Sequence, residues 1–265
     1  MPSWAFMCAM ALGLYAGCKW LTYVEVRSRL AFERRRAAGY LLAWPGMDAT
    51  GFLSRRAAVP RPSLLEWLLA ALKTTFGVVL TWGIARTALP EHPLIAGWIG
   101  MIGLVFVLHF GTFHLLSLAW RTLGVDAMPI MRNPPRSTSL SEFWGRRWNT
   151  AFHELATRFT FQPLRRLVGP RSASLAVFFI SGVIHELVIT VPAHGGYGLP
   201  TTYFLLQALG ISLERSRIGL RAGLGSGVRG WMFTALVTAA PAFWLFPPPF
   251  VHNVILPMLA AMRAS

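Results

Sequence analysis

Residues 172–191 read SASLAVFFISGVIHELVITV. As a helix this stretch rises about 30 Å, the thickness of a bilayer's hydrocarbon core. Yet His185 and Glu186 stand side by side inside it. Ionisable groups at such depth are costly, so they usually face a protein interior or a polar cavity and mark function. The stretch predicts a membrane span with chemistry or transport inside the membrane, and His185 is the residue to explain.

Working outward, the 265-residue chain is 54% hydrophobic and only 13% charged, with a mean hydropathy of +0.50. Soluble domains carry roughly 25% charged residues. Eleven Trp and eighteen Phe supply interface anchors and bulky packing groups. The apolar runs are continuous rather than alternating, which excludes a transmembrane β-barrel. The fold class expected is all-α: one polytopic helical bundle occupying 1–265 as a single membrane domain. Cys8 and Cys18, ten residues apart in the first apolar run, read as small buried hydrophobes. No basic region precedes that run, so a retained first span is expected over a cleaved signal peptide.

Spans are predicted at 4–24, 64–84, 94–118, 172–191, 200–213, 230–246 and 250–262, the fifth and last being short for full crossings. Arginine sorts the connections. Segment 25–63 holds Arg27, Arg29, Arg34, Arg35, Arg36, Arg55, Arg56 and Arg61. Arginines recur through 119–171 and 214–229, whereas 85–93 contains only Arg86 and 192–199 none. Alternating spans place nearly all of them on one side, with the N-terminus outside and the C-terminus cytoplasmic. The +15 formal charge is therefore a topology signal. Nucleic-acid binding would instead want a basic face on a soluble domain.

The longest basic connection contains RNPPRST (132–138), where two prolines oppose a helix, then SLSEFWGRRWNTAFHELATRF (139–159). Ser139 and Glu142 have capping-box spacing. At helical spacing Trp144, Trp148, Phe152, Leu155 and Phe159 form an apolar stripe, and Glu142, Arg146, Asn149, His153 and Thr157 a polar one. An amphipathic anchor lying at the cytoplasmic interface is the plain reading. Arg146, Arg147, Arg165 and Arg166 suit phosphate groups, of an acyl-CoA donor or equally of anionic lipid heads. Trp148 and His153, flanking Asn149, join them as candidate substrate contacts.

Other chemistries lack their patterns. His153 opens HELAT, but Thr157 stands where a zinc protease needs a second His. GLRAGLGSGVRG (219–230) is no phosphate-binding loop, and there is no GxSxG elbow for a nucleophilic serine. No ligand set makes a metal site, and no cofactor is expected. His109 and His114, in HFGTFH near the end of the third span, are open to two readings: polar tunnel residues or helix packing.

FWGRRWN (143–149), a basic region containing FQPLRR (161–166), and GVIHEL (182–187) together resemble the wax synthase-like branch of the membrane-bound O-acyltransferases. The resemblance covers roughly 90–260. It implies transfer of an acyl group from a thioester to a hydroxyl, with Asn149 and His185 matching the family's signature polar residues. It also implies a helical bundle enclosing a tunnel through which the donor reaches the histidine from the cytoplasmic side. The partners it implies are membrane lipids, an acyl-CoA donor and a hydroxyl-bearing acceptor.

The chemistry then gives His185 a task. An alcohol must lose its proton as it attacks the thioester carbonyl, and a neutral imidazole can take it. Asn149 suits orientation of substrate or stabilisation of the developing oxyanion. Glu186 points about 100° away around a helix, so holding another helix and lining a polar wall are both open to it. The rival reading is a transporter or flippase using His185 and Glu186 as relay groups. Paired broken helices or internal pseudo-symmetry would be its sign.

Overall fold

The computed structural model describes residues 1–54, 58–88 and 92–263. Arg55 and Arg56, counted above among the cytoplasmic arginines, lie outside the described residues. Among the described residues the regular structure is helical. The long helices are α1 (Ser3–Arg27), α2 (Leu64–Thr87), α3 (Pro93–Thr122) and α5 (Thr150–Ala193). Between the last two, residues 140–147 form the short helix α4. After α5 come α6 (Leu199–Glu214), α7 (Gly227–Leu245) and α8 (Pro248–Ala261).

Helices α1, α2, α3 and α5 are long and apolar enough to cross a bilayer. Along α2, Leu64, Leu65, Leu68, Leu69, Leu72 and Phe76 are all exposed. Such a row is unfavourable in water and at home in lipid. The chain is a multi-span integral membrane protein. The expected seven spans become four clear ones, or five if α7 and α8, bent by 60° at their junction, count as one. Helix α6, at 16 residues, is too short for an upright crossing.

The chain forms two compact units. One comprises 12–131 and 259–265. There a capping box of Ser63 and Glu66 starts α2, and Lys73 lies well inside the helix. Arg121 is buried and donates to Glu66 at 2.7 Å and to the Pro60 carbonyl at 3.1 Å, which removes it from any headgroup role. Lys19 does not snorkel toward water. It is buried, donates to the Gly46 carbonyl and sits 3.4 Å from the centre of the Tyr40 ring.

The other unit, 1–11 and 132–258, carries both sequence motifs. Its core joins Leu140 from α4, Phe178 from α5, and Tyr203, Phe204, Ala208 and Ile211 from α6. At 44 residues α5 would run about 66 Å, twice a hydrocarbon core. Gly169 divides it with φ 80° and ψ 166°, a conformation glycine tolerates, and Pro170 follows. The part after the break, 170–193, rises about 36 Å and contains the predicted span.

One expectation fails here. The stretch 139–159 is not a continuous amphipathic helix. Trp148 is extended and Asn149 is left-handed (φ 42°, ψ 61°), so α4 ends at Arg147 and a new helix begins at Thr150. Asparagine is among the few non-glycine residues that accept this conformation, because its short amide bonds the local backbone. Asn149 Oδ1 accepts from Phe152 N–H at 3.2 Å and caps the new helix. Arg146 and His153 therefore do not share one unbroken polar face.

Candidate functional site

His185 ends the α-helical part of α5, and residues Glu186–Thr190 continue as a π-helical turn. His185 Nδ1 lies 2.7 Å from the Ser181 carbonyl oxygen. A carbonyl only accepts, so in the neutral ring the proton is on Nδ1 and the lone pair on Nε2. The ring packs against Phe204 of α6, centroids 4.4 Å apart. Among the described residues it is half-buried, neither sealed in the core nor fully open.

Glu186 faces α6. Its Oε1 accepts from Thr201 N–H at 3.1 Å and from the Thr201 hydroxyl at 3.0 Å. Its Oε2 accepts from the Thr190 hydroxyl at 2.5 Å. Thr201 N–H is one of the first amides of α6, which lack intrahelical partners and favour a carboxylate. Of the two openings the sequence left, Glu186 thus takes the first and holds another helix. Close approach of α5 and α6 is required for this: a Cβ on Gly182 would lie 2.6 Å from Thr201 Cα.

The aromatic motif meets the same helix. Trp144 packs edge-on to Phe178 at 5.8 Å and beside Phe204 at 5.7 Å, and its indole N–H donates to Gln207 Oε1 at 3.3 Å. Gln207 is fully buried and passes its own N–H to the Val237 carbonyl at 2.8 Å. Phe204 therefore touches both the His185 ring and Trp144. Trp148, which immediately precedes the left-handed Asn149, stacks on Phe143, centroids 5.5 Å apart.

Two carboxylates fix the start of α4. Buried Glu214 accepts from Leu140 N–H at 2.5 Å and the Ser141 hydroxyl at 2.7 Å. Glu142 does not complete the expected box with Ser139. Ser139 does receive Glu142 N–H, but the Glu142 carboxylate reaches Thr138 N–H one residue earlier. It also pairs with Arg147 at 2.6 Å. The Thr138 amide and Arg147 together hold the Glu142 carboxyl below its usual range, against a smaller opposing effect of burial.

Arg147, expected to contact substrate, is thus drawn into a clamp on Glu142 and the carbonyls of Arg132 and Asn133. Arg146, Arg165 and Arg166 are exposed, the last two ahead of the Gly169 break. His153 Nε2 lies 3.4 Å from the Thr157 hydroxyl. His109 and His114 belong to the other unit. His109 sits in the π-helical segment Phe106–Thr112, edge-on to Phe113, with Nδ1 buried and unpartnered.

Phe204, Gln207 and Glu214 escaped the sequence reading, which followed ionisable groups within apolar runs. A signal existed. Gln207 interrupts an otherwise apolar run, and Glu214 follows two helical turns later on the same face, just past the predicted span end at 213.

Residues 127–206, holding both Asn149 and His185, match the membrane bound O-acyl transferase family. The chain is similar to the long-chain-alcohol O-fatty-acyltransferase of Simmondsia chinensis, at 28% identity over 171 residues, 58% of this chain and 48% of that protein. It is similar also to two proteins of Arabidopsis thaliana. Probable long-chain-alcohol O-fatty-acyltransferase 7 is 31% identical over 147 residues, 49% of this chain and 42% of its own. Probable long-chain-alcohol O-fatty-acyltransferase 6 is 36% identical over 147 residues, 51% and 42% respectively. The chain spans about half the length of these curated relatives. The motif geometry and these matches agree: residues 127–206, which carry both motifs, match the membrane bound O-acyl transferase family, and about half of the chain is similar to long-chain-alcohol O-fatty-acyltransferases.

Proposed function

We propose that this protein transfers a fatty acyl group from acyl-CoA to the hydroxyl of a long-chain alcohol, forming an ester. The observation that carries the reading is the His185 ring: Nδ1 donates to the Ser181 carbonyl, so Nε2 is the basic nitrogen. The names of the relatives, which specify a long-chain alcohol and a fatty acyl group, supply the substrate class.

In this mechanism the alcohol hydroxyl donates its proton to Nε2 as its oxygen attacks the thioester carbonyl carbon. The C–S bond of the tetrahedral intermediate then breaks. The proton passes from Nε2 to the departing thiolate, giving ester and free CoA thiol. While the ring is doubly protonated, the Nδ1–H bond to Ser181 steadies its charge. Asn149 is the second catalytic group. Its Oδ1 is engaged by Phe152 N–H, so its NH2 is the group suited to a developing oxyanion. Arg146, Arg165 and Arg166 would receive donor phosphates, with Trp148 and His153 nearby along the chain. The donor reaches His185 through an internal tunnel from the cytoplasmic side, with the N-terminus outside and the C-terminus cytoplasmic; the one-sided arginine distribution supports this orientation.

Purified protein in detergent, supplied with acyl-CoAs of several chain lengths and a panel of alcohols, tests the reading by mass detection of the ester. Ester formation by the wild type and its loss in His185→Ala is the expected result. Turnover surviving in the mutant would remove His185 from the reaction.

A further inference from the structure

Glu186 and Thr201 form a latch between the helix that carries His185 and helix α6. Gly182, His185 and Glu186 follow at i, i+3 and i+4, so they share one face of α5. Thr201 and Phe204 share the opposing face of α6. Each meets its counterpart: Gly182 lies under Thr201, Phe204 lies on the His185 ring, and the Glu186 carboxylate takes both donors of Thr201. The second carboxylate oxygen ties back to Thr190, one turn along α5. A carboxylate beside the histidine therefore bonds away from the imidazole, to groups that fix where the two helices sit.

We infer that Glu186 is a positioning residue for His185: through Thr201 it holds Phe204 against the imidazole and so keeps Nδ1–H on the Ser181 carbonyl and Nε2 turned to the acceptor hydroxyl. The latch acts by hydrogen-bond geometry rather than by its charge. Glutamine, which keeps an acceptor oxygen for Thr201 and can donate to the Thr190 hydroxyl, serves in its place. Alanine does not. Only the kinetic part of the test rests on the acyl-transfer reading.

The first measurement is the ring 15N spectrum of His-labelled protein in detergent, with His185 assigned by its loss in His185→Ala. Wild type and Glu186→Gln should show the Nδ1–H tautomer, and Glu186→Ala a mixture. In turnover assays, kcat of Glu186→Ala should fall at least about tenfold while KM changes less than about threefold, as expected when orientation rather than binding is lost. Glu186→Gln should stay within about threefold of wild type, with its pH profile unmoved. If Glu186→Ala does not fold, Thr201→Val, which keeps the amide and loses the hydroxyl, should show the same tautomer mixing in weaker form.

An unmixed tautomer in Glu186→Ala, or in Thr201→Val standing in for it, overturns the proposal. So does a Glu186→Gln variant as disturbed as alanine, or one with a shifted pH profile, since either would mean the charge itself acts. If the wild type transferred no acyl group, the functional reading would fail alone, and the nitrogen spectrum would still decide the latch.

Discussion

Helices α5 and α3 each carry a histidine at or within a π-helical turn, and they differ in what surrounds the ring. In α5, His185 has one nitrogen tied to a carbonyl, a phenylalanine at its face and a carboxylate latch beside it. In α3, His109 meets Phe113 edge-on, and its Nδ1 is buried without a partner. The proposed base and the second histidine thus share a helical setting but not an environment. In the proposed reaction the bond to Ser181 matters because a fixed tautomer makes the same nitrogen always the one that accepts the proton.

The comparison breaks first at His185. Replacement by alanine should lower the rate of ester formation by about 10³-fold or more, the scale of general-base catalysis, with membrane insertion unchanged. An equal loss in His109→Gln would erase the distinction. That variant should instead lose less than about tenfold, mostly in KM, since His109 supplies no fixed base.

Asn149→Ala should cost about 10²-fold in kcat if its amide meets the oxyanion. It also removes a helix cap and a left-handed asparagine, so thermal unfolding must be followed in parallel. Asn149→Gly, which suits the backbone but lacks the amide, separates the two effects: restored stability with rate still low assigns the loss to chemistry.

Gln207→Leu should lower stability by about 1–3 kcal/mol, since it leaves the Trp144 indole and the Val237 carbonyl unpaired in the core. Turnover should fall less than in Asn149→Ala. Unchanged thermal unfolding would show that the Trp144–Gln207–Val237 chain does not secure the motif.

The smallest effect is expected at Glu142, whose carboxylate is partly exposed. Its pKa is lowered in the folded protein, so its contribution is complete above the ordinary carboxylate value of about 4.3 and fades as pH falls through the lowered one. Glu142→Gln should therefore destabilise by about 1 kcal/mol or less at neutral pH. The gap between variant and wild type should close in acid. A gap that persists well below the lowered pKa would assign the loss to packing instead of charge.

Much of this architecture is legible in the sequence, because hydrocarbon imposes a harsh rule on composition. Apolar length gives α1, α2, α3 and the second part of α5, since a backbone in lipid must bond within its own helix. The placement of His185 in a span, and of Asn149 in a tryptophan-rich segment before it, follow from residue order alone. Span number is less legible: α7 and α8 divide one apolar region at a 60° bend, where Pro247, Pro248 and Pro249 interrupt the helix.

Tertiary structure decided what periodicity does not encode. The stripe through 139–159 looks continuous because helical spacing says nothing of a single residue's φ, and Asn149 breaks it by taking a positive one. Helix geometry already turns Glu186 away from His185, but that its carboxylate finds Thr201 across the packing interface is written in neither residue. Helix α6 looks like one more apolar segment until Thr201, Phe204, Gln207 and Glu214 are seen to meet Glu186, His185, Trp144 and Leu140 respectively. Hydropathy records each side chain's own preference for lipid or water. The pairing of a donor with an acceptor on another helix is a property of two elements together, and only packing specifies it.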